Sequence, residues 1–547
     1  MTLTGTPVLI LKEGSDRSKG RTAQRNNIMA ARAVADAVQS TLGPRGMDKL
    51  LVDSLGDIVI TNDGATILDE IEVQHPAAKM LVQVAKTQDD EVGDGTTSAV
   101  ILAGELLRRA EDLLEKKIHP TVIVQGYKMA AEKALSVIKD LSKDLEDGQL
   151  HNIAGTALNS KAVGGAKEFL SNIAVDAIKS IEEDGKANID WVTVIQKQGR
   201  SITETELVKG VILDKEVVHD RMPKKIEKAK IALINAALEI KKTEFDAKIR
   251  ISDASQITAF MDQEYGMIRN MIEKITATGA NVVFSQKGIE DEAQEILAKA
   301  GIMAARRIKK SDMEKLAKAT GAKIVTTLDD LSADDLGEAG RVEQRKIGDE
   351  KLIYVEECKT PKAVSIVLRG ANKYFTDEAE RAIHDALCVV RNAQVSKKYV
   401  AGAGATEIEI GRNLREYAPT VGGREALAVE AFADAIEVIP KTLAENGGLD
   451  SMDMVIQLRE RHAKGQKFTG VNIVSGKIAD AIKDGIIEPA GVKAQAIRSA
   501  SEAAELILRI DDVITAKETS GPPGGPGGMP PGGMGGMGGM GGMPGMM

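Results

Sequence analysis

The sequence predicts a multidomain α/β protein whose two ends build one mostly helical domain around an inserted α/β middle. Three observations predict it. Apolar residues recur at helical spacing up to about Leu141 and again toward the end of the chain. Between these regions, short apolar runs alternate with helical segments. The length of 547 residues suits roughly three or four domains.

The first helix is expected over Ala23–Ser40, where Ile28, Ala31, Val34, Ala35 and Val38 fall on one face. It ends at Leu42-Gly43-Pro44, where glycine and proline break the pattern. Leu50–Val52 and Ile58–Thr61 flank a turn around Gly56-Asp57 and read as a hairpin. Helices follow over Ala99–Glu115 and Val122–Leu141. In the middle, Ile231–Ile234, Asn281–Phe284, Ile302–Ala305 and Lys323–Thr326 read as strands. Helices over Glu290–Ala300 and Asp312–Thr320 alternate with the last three, and any parallel strands should be joined by right-handed crossovers. An amphipathic helix interrupts this module, with Ile257, Phe260, Met261, Ile268, Met271, Ile272 and Ile275 three to four residues apart. It is either an arm or lid, or an ordinary helix packed on its own domain. Helical character returns from about Tyr417, through Ala426–Val438 and Ile497–Leu508. From Gly521 the chain is a Gly-Gly-Met tail that cannot repay its ordering entropy and is expected to be disordered.

Composition narrows the function. Apolar residues are 43% and charged residues 28%, which is ordinary for a globular chain. Aromatics are only 3%, so the cores rest on Val, Ile, Leu, Ala and Met. The net charge of −9, without basic stripes interleaved with aromatics, argues against nucleic acid as the main partner. No apolar run reaches the ~18 residues of a membrane helix. Met1-Thr2-Leu3-Thr4-Gly5 has no basic flank before an apolar stretch, so no secretory signal is expected. The two cysteines, Cys358 and Cys388, form neither a CxxC nor a disulfide framework. Cys388 reads as a small core residue, and a cytoplasmic location is expected.

The strongest chemical signal is Gly93-Asp94-Gly95-Thr96-Thr97-Ser98, directly before the apolar run Ala99–Ala103. Glycines let the backbone approach an anion. A helix N-terminus offers free N–H groups and the positive end of a dipole, the hydroxyls add donors, and Asp94 could hold Mg²⁺ between phosphates. A hydroxyl-capped helix after a turn is the plainer reading. No Walker A pattern occurs. Thr41-Leu42-Gly43-Pro44-Arg45-Gly46 and Asn62-Asp63-Gly64-Ala65-Thr66 read on their own as turns. Asp385 falls mid-helix beside Ala386, Leu387 and Val389, where it either serves a function or faces solvent.

Taken together, Thr41–Gly46, Asn62–Thr66, Gly93–Ser98, His384-Asp385-Ala386-Leu387, Gly402-Ala403-Gly404-Ala405-Thr406-Glu407 and Gly485-Ile486-Ile487-Glu488-Pro489 with Val492-Lys493 stand in the order and spacing of the group II chaperonins. The resemblance runs to about Thr515, and the Gly/Met tail is typical of that family. It implies an equatorial ATP-binding domain over 1–147 and 402–520 and an intermediate hinge domain over 148–215 and 368–401. It also implies an apical substrate-binding domain over 216–367, with a lid protrusion near 244–278, and a disordered tail over 521–547. Subunits, identical or paralogous, would form two stacked rings of about eight around non-native protein clients.

By the same resemblance, Leu42, Gly43 and Pro44 line the nucleotide pocket. Asp94 binds Mg²⁺, and Gly95, Thr96, Thr97 and Ser98 hold the phosphates of ATP. Gly404 lies by the nucleotide, and Glu488 and Lys493 sit on its adenosine side. Lys161 senses the γ-phosphate, with the attraction of a cation for an anion as the physical basis. Asp63 and Asp385 orient and activate the attacking water, and positioning of this kind is most of what phosphoryl transfer asks of a protein. The chain departs from the family where Ala403 replaces the middle of three glycines. If that position needs φ > 0, the alanine costs energy. Ser98 replaces a common threonine and keeps the hydroxyl. Two other readings stay open: a metabolic kinase-like ATP-dependent enzyme, and a non-catalytic ring-assembly protein with a vestigial nucleotide site.

Overall fold

The computed structural model describes residues 16–161, 163–240, 254–348, 350–359 and 361–515. The Gly/Met-rich tail and the first part of the expected protrusion, residues 244–253, lie outside the described residues.

The chain divides into two compact units. Among the described residues the smaller comprises 16–24 and 510–515. Within it Asp16–Lys19 pairs antiparallel with Asp512–Thr515, and Arg17 Nε donates to Asp512 Oδ1 at 3.0 Å. The larger unit spans residues 25–509 and holds several hydrophobic cores.

The first core is helical and draws on both ends of the sequence. It joins Ile28–Val38, the helices Pro76–Val92, Thr96–Glu115 and Pro120–Leu141, and residues between Val400 and Leu508. Tyr127 and Phe432 meet edge to face with centroids 5.6 Å apart, and the Tyr127 hydroxyl donates to Leu106 O at 2.7 Å, so a buried phenol keeps its partner. Proline at the first helical position starts the helices at Pro76 and Pro120, where its missing N–H costs nothing. The Lys49–Val52 and Ile58–Thr61 hairpin forms as the sequence predicts.

A second core packs the helices Leu150–Leu158, Lys167–Ile181 and Lys373–Ser396 against a three-stranded sheet. There Val364–Gly370 is central, parallel to Val192–Gln198 and antiparallel to Glu206–Val208. Asn372 starts the Lys373–Ser396 helix by accepting from Phe375 N at 2.9 Å.

The middle of the chain forms a seven-stranded mixed sheet. The half of Lys225–Ile234 that runs from Ile231 pairs in parallel with Val282–Ser285, which pairs in parallel with Met303–Ala305. The other half pairs antiparallel with Gly337–Ile347. Apolar cores cover the two faces. The amphipathic helix is Ala254–Ala277. Its later part is an ordinary packed helix, with Ile268, Ile272 and Ile275 buried among Val283, Ala293 and Leu297.

One boundary differs from expectation. Helix resumes at Ala405, not near Tyr417. Every residue from Ala405 to Gly411 is buried. A helix covered on all sides needs no polar face, and its period vanishes from the sequence.

Candidate functional site

Several separated stretches of the larger unit converge on the Gly93–Ser98 loop. Gly93 closes the preceding helix at φ +65°, and a Cβ there would lie 2.3 Å from Cys388 Cβ. The loop is thus docked directly on the Lys373–Ser396 helix, and Asn392 Nδ2 donates to Val92 O at 2.7 Å. Gly95, at φ +77°, begins the Thr96–Glu115 helix without a side-chain cap. Left-handed φ at both positions explains the two glycines, and the missing cap leaves helical N–H groups for an anion. Asp94 Oδ1 accepts from Gly95 N at 2.6 Å. Burial pushes the Asp94 carboxyl above its ordinary value, against the pull of that hydrogen bond and of Lys161.

The Asn62–Thr66 turn packs on this loop, since a Cβ on Gly64 would fall 2.6 Å from Thr97 Oγ1. Asp63 caps the following helix through Thr66 N at 2.9 Å. Asn62 Nδ2 donates to Ser160 O at 2.6 Å, which brings the Lys161 loop alongside. Lys161 Nζ lies 3.4 Å from Asp63 Oδ1 and 2.9 Å from Asp385 Oδ2, and its side chain is 6% exposed. Burial works against the Lys161 charge, but Asp385 and Asp63 outweigh it and hold the ammonium protonated. Burial also raises Asp63, yet Lys161 and the Thr66 bonds bring it below its ordinary value. Asp385 goes the other way. Burial lifts it well above the usual range, with Lys161 opposing. Of the two carboxylates on one lysine, Asp385 is therefore the stronger proton acceptor.

A second buried triad lies on the far side. Lys493 Nζ is 2.5 Å from Glu407 Oε1 and 3.1 Å from Glu488 Oε2. Burial raises the Glu488 carboxyl against the pull of Lys493. Burial lowers Lys493, but Glu407 and Glu488 outweigh it and raise its affinity for the proton. Glu488 Oε1 would be only 2.8 Å from a Cβ at Gly402, so a side chain there would displace it.

Between the triads lies a cavity lined by Leu42, Gly43, Pro44, Asp94, Gly95, Ser98, Gly404, Glu488 and Lys493. The sequence analysis singled out all nine. Thr96 is buried and Thr97 faces Gly64, so neither lines the cavity. Asp63, Lys161 and Asp385 form the adjoining charge cluster and do not line it either. Sequence reasoning missed Thr156, Ile439, Leu443 and the stretch Val471–Val474, which complete the walls. Apolar wall residues carry no signal that separates them from core. Ala403 also lines the cavity. It sits at φ +55°, so the alanine does occupy a left-handed position. Its Cβ lies against Gly470, where a Cβ would come within 2.8 Å. The absent side chain of Gly470 makes room for the extra methyl of Ala403.

The residues present fit a magnesium nucleotide. The carboxylate of Asp94 and the uncapped N–H groups at the start of the Thr96–Glu115 helix would suit a divalent ion and phosphates. Loops well separated in the sequence line this one cavity. The chain belongs to the TCP-1/cpn60 chaperonin family, whose model matches residues 34–518. Among the chaperonins it is of group II. It is 58% identical to a thermosome subunit beta of Archaeoglobus fulgidus over 96% of this chain and 97% of that one. It is 56% identical to a thermosome subunit of Methanopyrus kandleri over 94% and 96%, and 55% identical to a thermosome subunit alpha of Archaeoglobus fulgidus over 96% and 98%. These relatives make it an ATP-dependent chaperone and do not favour a metabolic kinase.

Proposed function

We propose that the chain binds ATP with Mg²⁺ in the cavity at Asp94, hydrolyses it, and uses the cycle to close a chamber around non-native protein. The observation that carries the reading is the buried bridge of Lys161 between Asp63 and Asp385. Asp63 caps a helix of the first core and Asp385 stands on a helix of the second. A charge network that spans two cores couples the chemistry to their relative position.

In this reading Asp94 holds the metal, which when bound neutralises charge on the phosphates. Gly95, Thr96, Thr97 and Ser98 hold the phosphates, the free N–H groups of the first helical turn being those of Thr96, Thr97 and Ser98. Leu42, Gly43, Pro44 and Gly404 line the nucleotide, and Glu488 and Lys493 meet its adenosine side. Asp63 and Asp385 position the water, Asp385 accepts its proton, and Lys161 faces the terminal phosphate. The first core corresponds to an equatorial domain over 1–147 and 402–520, and the second to an intermediate domain over 148–215 and 368–401. The seven-stranded sheet corresponds to an apical domain over 216–367, with its protrusion near 244–278. Separate hydrophobic cores drawn from these segments support the division. Identical or paralogous subunits would stack as two rings of about eight in the cytoplasm. Among the described residues no helix is long and apolar enough to cross a membrane.

The test is refolding of a chemically denatured client, with phosphate release followed in parallel. Mg-ATP should raise the yield of active client and release phosphate. Equal yields with and without ATP refute the coupling.

A further inference from the structure

The strand Thr469–Asn472 and the turn after it supply Val471, Asn472, Ile473 and Val474 to the cavity wall. This hairpin, completed by Lys477–Asp480, has only two strands and needs fastening from outside. On the cavity side, Val471 N donates to Ala403 O at 2.9 Å. On the opposite side, His462 Nε2 meets Thr469 O at 2.8 Å. The other ring nitrogen, Nδ1, meets Glu409 Oε2 at 2.8 Å, and Glu409 is on the Ala405–Val421 helix, which starts at Gly404 in the cavity wall. Neither side chain is solvated, at 0% exposure for His462 and 1% for Glu409.

The ring therefore faces an acceptor at each nitrogen. A carbonyl can only accept, so Nε2 carries a proton. Nδ1 faces the Glu409 carboxyl. Arg412 pairs with Oε1 of Glu409 at 2.6 Å, and Asn413 Nδ2 donates to the same Oε1 at 3.3 Å, so the carboxyl is anchored from its own helix. No other side chain pairs with the imidazole among the described residues.

We infer that His462 is a positioning residue of the nucleotide site: its Nε2 latches Thr469 O, and with it the Thr469–Asp480 hairpin that carries one cavity wall, while Glu409 orients the ring. The inference rests on the nucleotide reading of that cavity. His462 does not line the cavity and acts through the backbone of Thr469. Its effect is on how well the pocket holds ligand, and the reacting groups around Lys161 are left in place.

The two nitrogens can be separated by substitution. His462→Gln places an amide donor near the Nε2 position and keeps the bond to Thr469. His462→Asn places one near Nδ1, keeps the bond to Glu409 and leaves Thr469 O unpaired. A purely structural histidine predicts similar losses from both. A latch predicts that H462N raises the KM for ATP about fivefold, the effect of one hydrogen bond, with kcat within about twofold, and that H462Q raises it much less. Hydrogen exchange of peptides over Thr469–Asp480 supplies a readout that survives loss of activity. Exchange should speed up in H462N and stay near wild type in H462Q, and Mg-ADP should slow it in the wild-type protein. Equal KM and equal exchange in the two variants overturn the latch. A wild-type protein that neither binds Mg-ADP nor hydrolyses Mg-ATP overturns the nucleotide reading, and the latch with it.

Discussion

Asp385→Asn separates the chemistry of the Lys161 cluster from its structural role. In the native arrangement Lys161 has two carboxylates, at 2.9 Å on Asp385 and 3.4 Å on Asp63. Asparagine is nearly isosteric, its amide oxygen can still accept from Lys161, and Asp63 remains as counter-ion. Stability should therefore fall by no more than about 1–2 kcal/mol, the scale of one hydrogen bond to a charged group. Proton transfer is affected differently. Burial makes the Asp385 carboxyl the more basic of the pair, and an amide cannot take a proton from water. Phosphate release at saturating Mg-ATP should slow at least ~10-fold, a barrier increase of at least ~1.4 kcal/mol. Nucleotide affinity, read by calorimetry with ADP, should stay within about threefold, because Asp385 does not line the cavity. Lys161→Met is the counterpart. It leaves two buried carboxylates without a cation, and the expected cost is ~3–5 kcal/mol, seen as a lower unfolding midpoint. Full ATPase activity in D385N would remove Asp385 from the chemistry.

Three further outcomes are expected. Gly470→Ala puts a Cβ 2.8 Å from Ala403 Cβ and 2.7 Å from Ala403 O and should destabilise by ~1–3 kcal/mol. Ala403→Gly should recover part of that loss, since it removes the methyl and not the carbonyl, and a G470A protein that unfolds with the wild type would refute the packing. Burial raises the Glu409 carboxyl, but bonds from His462 and Arg412 outweigh it and hold it at about 2. Its folded-state value is thus depressed, so its contribution is complete above the unfolded value of 4.5 and is lost as pH falls toward 2. That is roughly 3 kcal/mol, and unfolding midpoints between pH 5 and 2 should flatten in Glu409→Gln. Deleting residues 245–266, which spares the packed Ile268, Ile272 and Ile275, should preserve ATPase activity and abolish protease protection of an enclosed client, and continued protection would refute the lid.

The Gly93–Ser98 loop was legible in the sequence because its chemistry needs particular residues. Left-handed φ at Gly93 and Gly95 selects glycine, and the Asp94 carboxylate between them stands out beside it. Helices with one solvated face, such as Pro120–Leu141, were legible for a similar local reason. The start of the Ala405–Val421 helix was not, because burial on all sides erased its period.

What the sequence by itself determined was local: glycines where the backbone must turn, hydroxyls and acids clustered at the start of a helix, and the alternation of helix and strand. Only the tertiary structure decided that Lys161 would stand between Asp63 and Asp385, that Gly470 would make room for Ala403, and that His462 would fasten a wall it does not line. Apart from His462 and Thr469, which are seven residues apart, these partners lie far apart along the chain. Their contacts depend on how the cores pack, and no residue type at a single position carries that information.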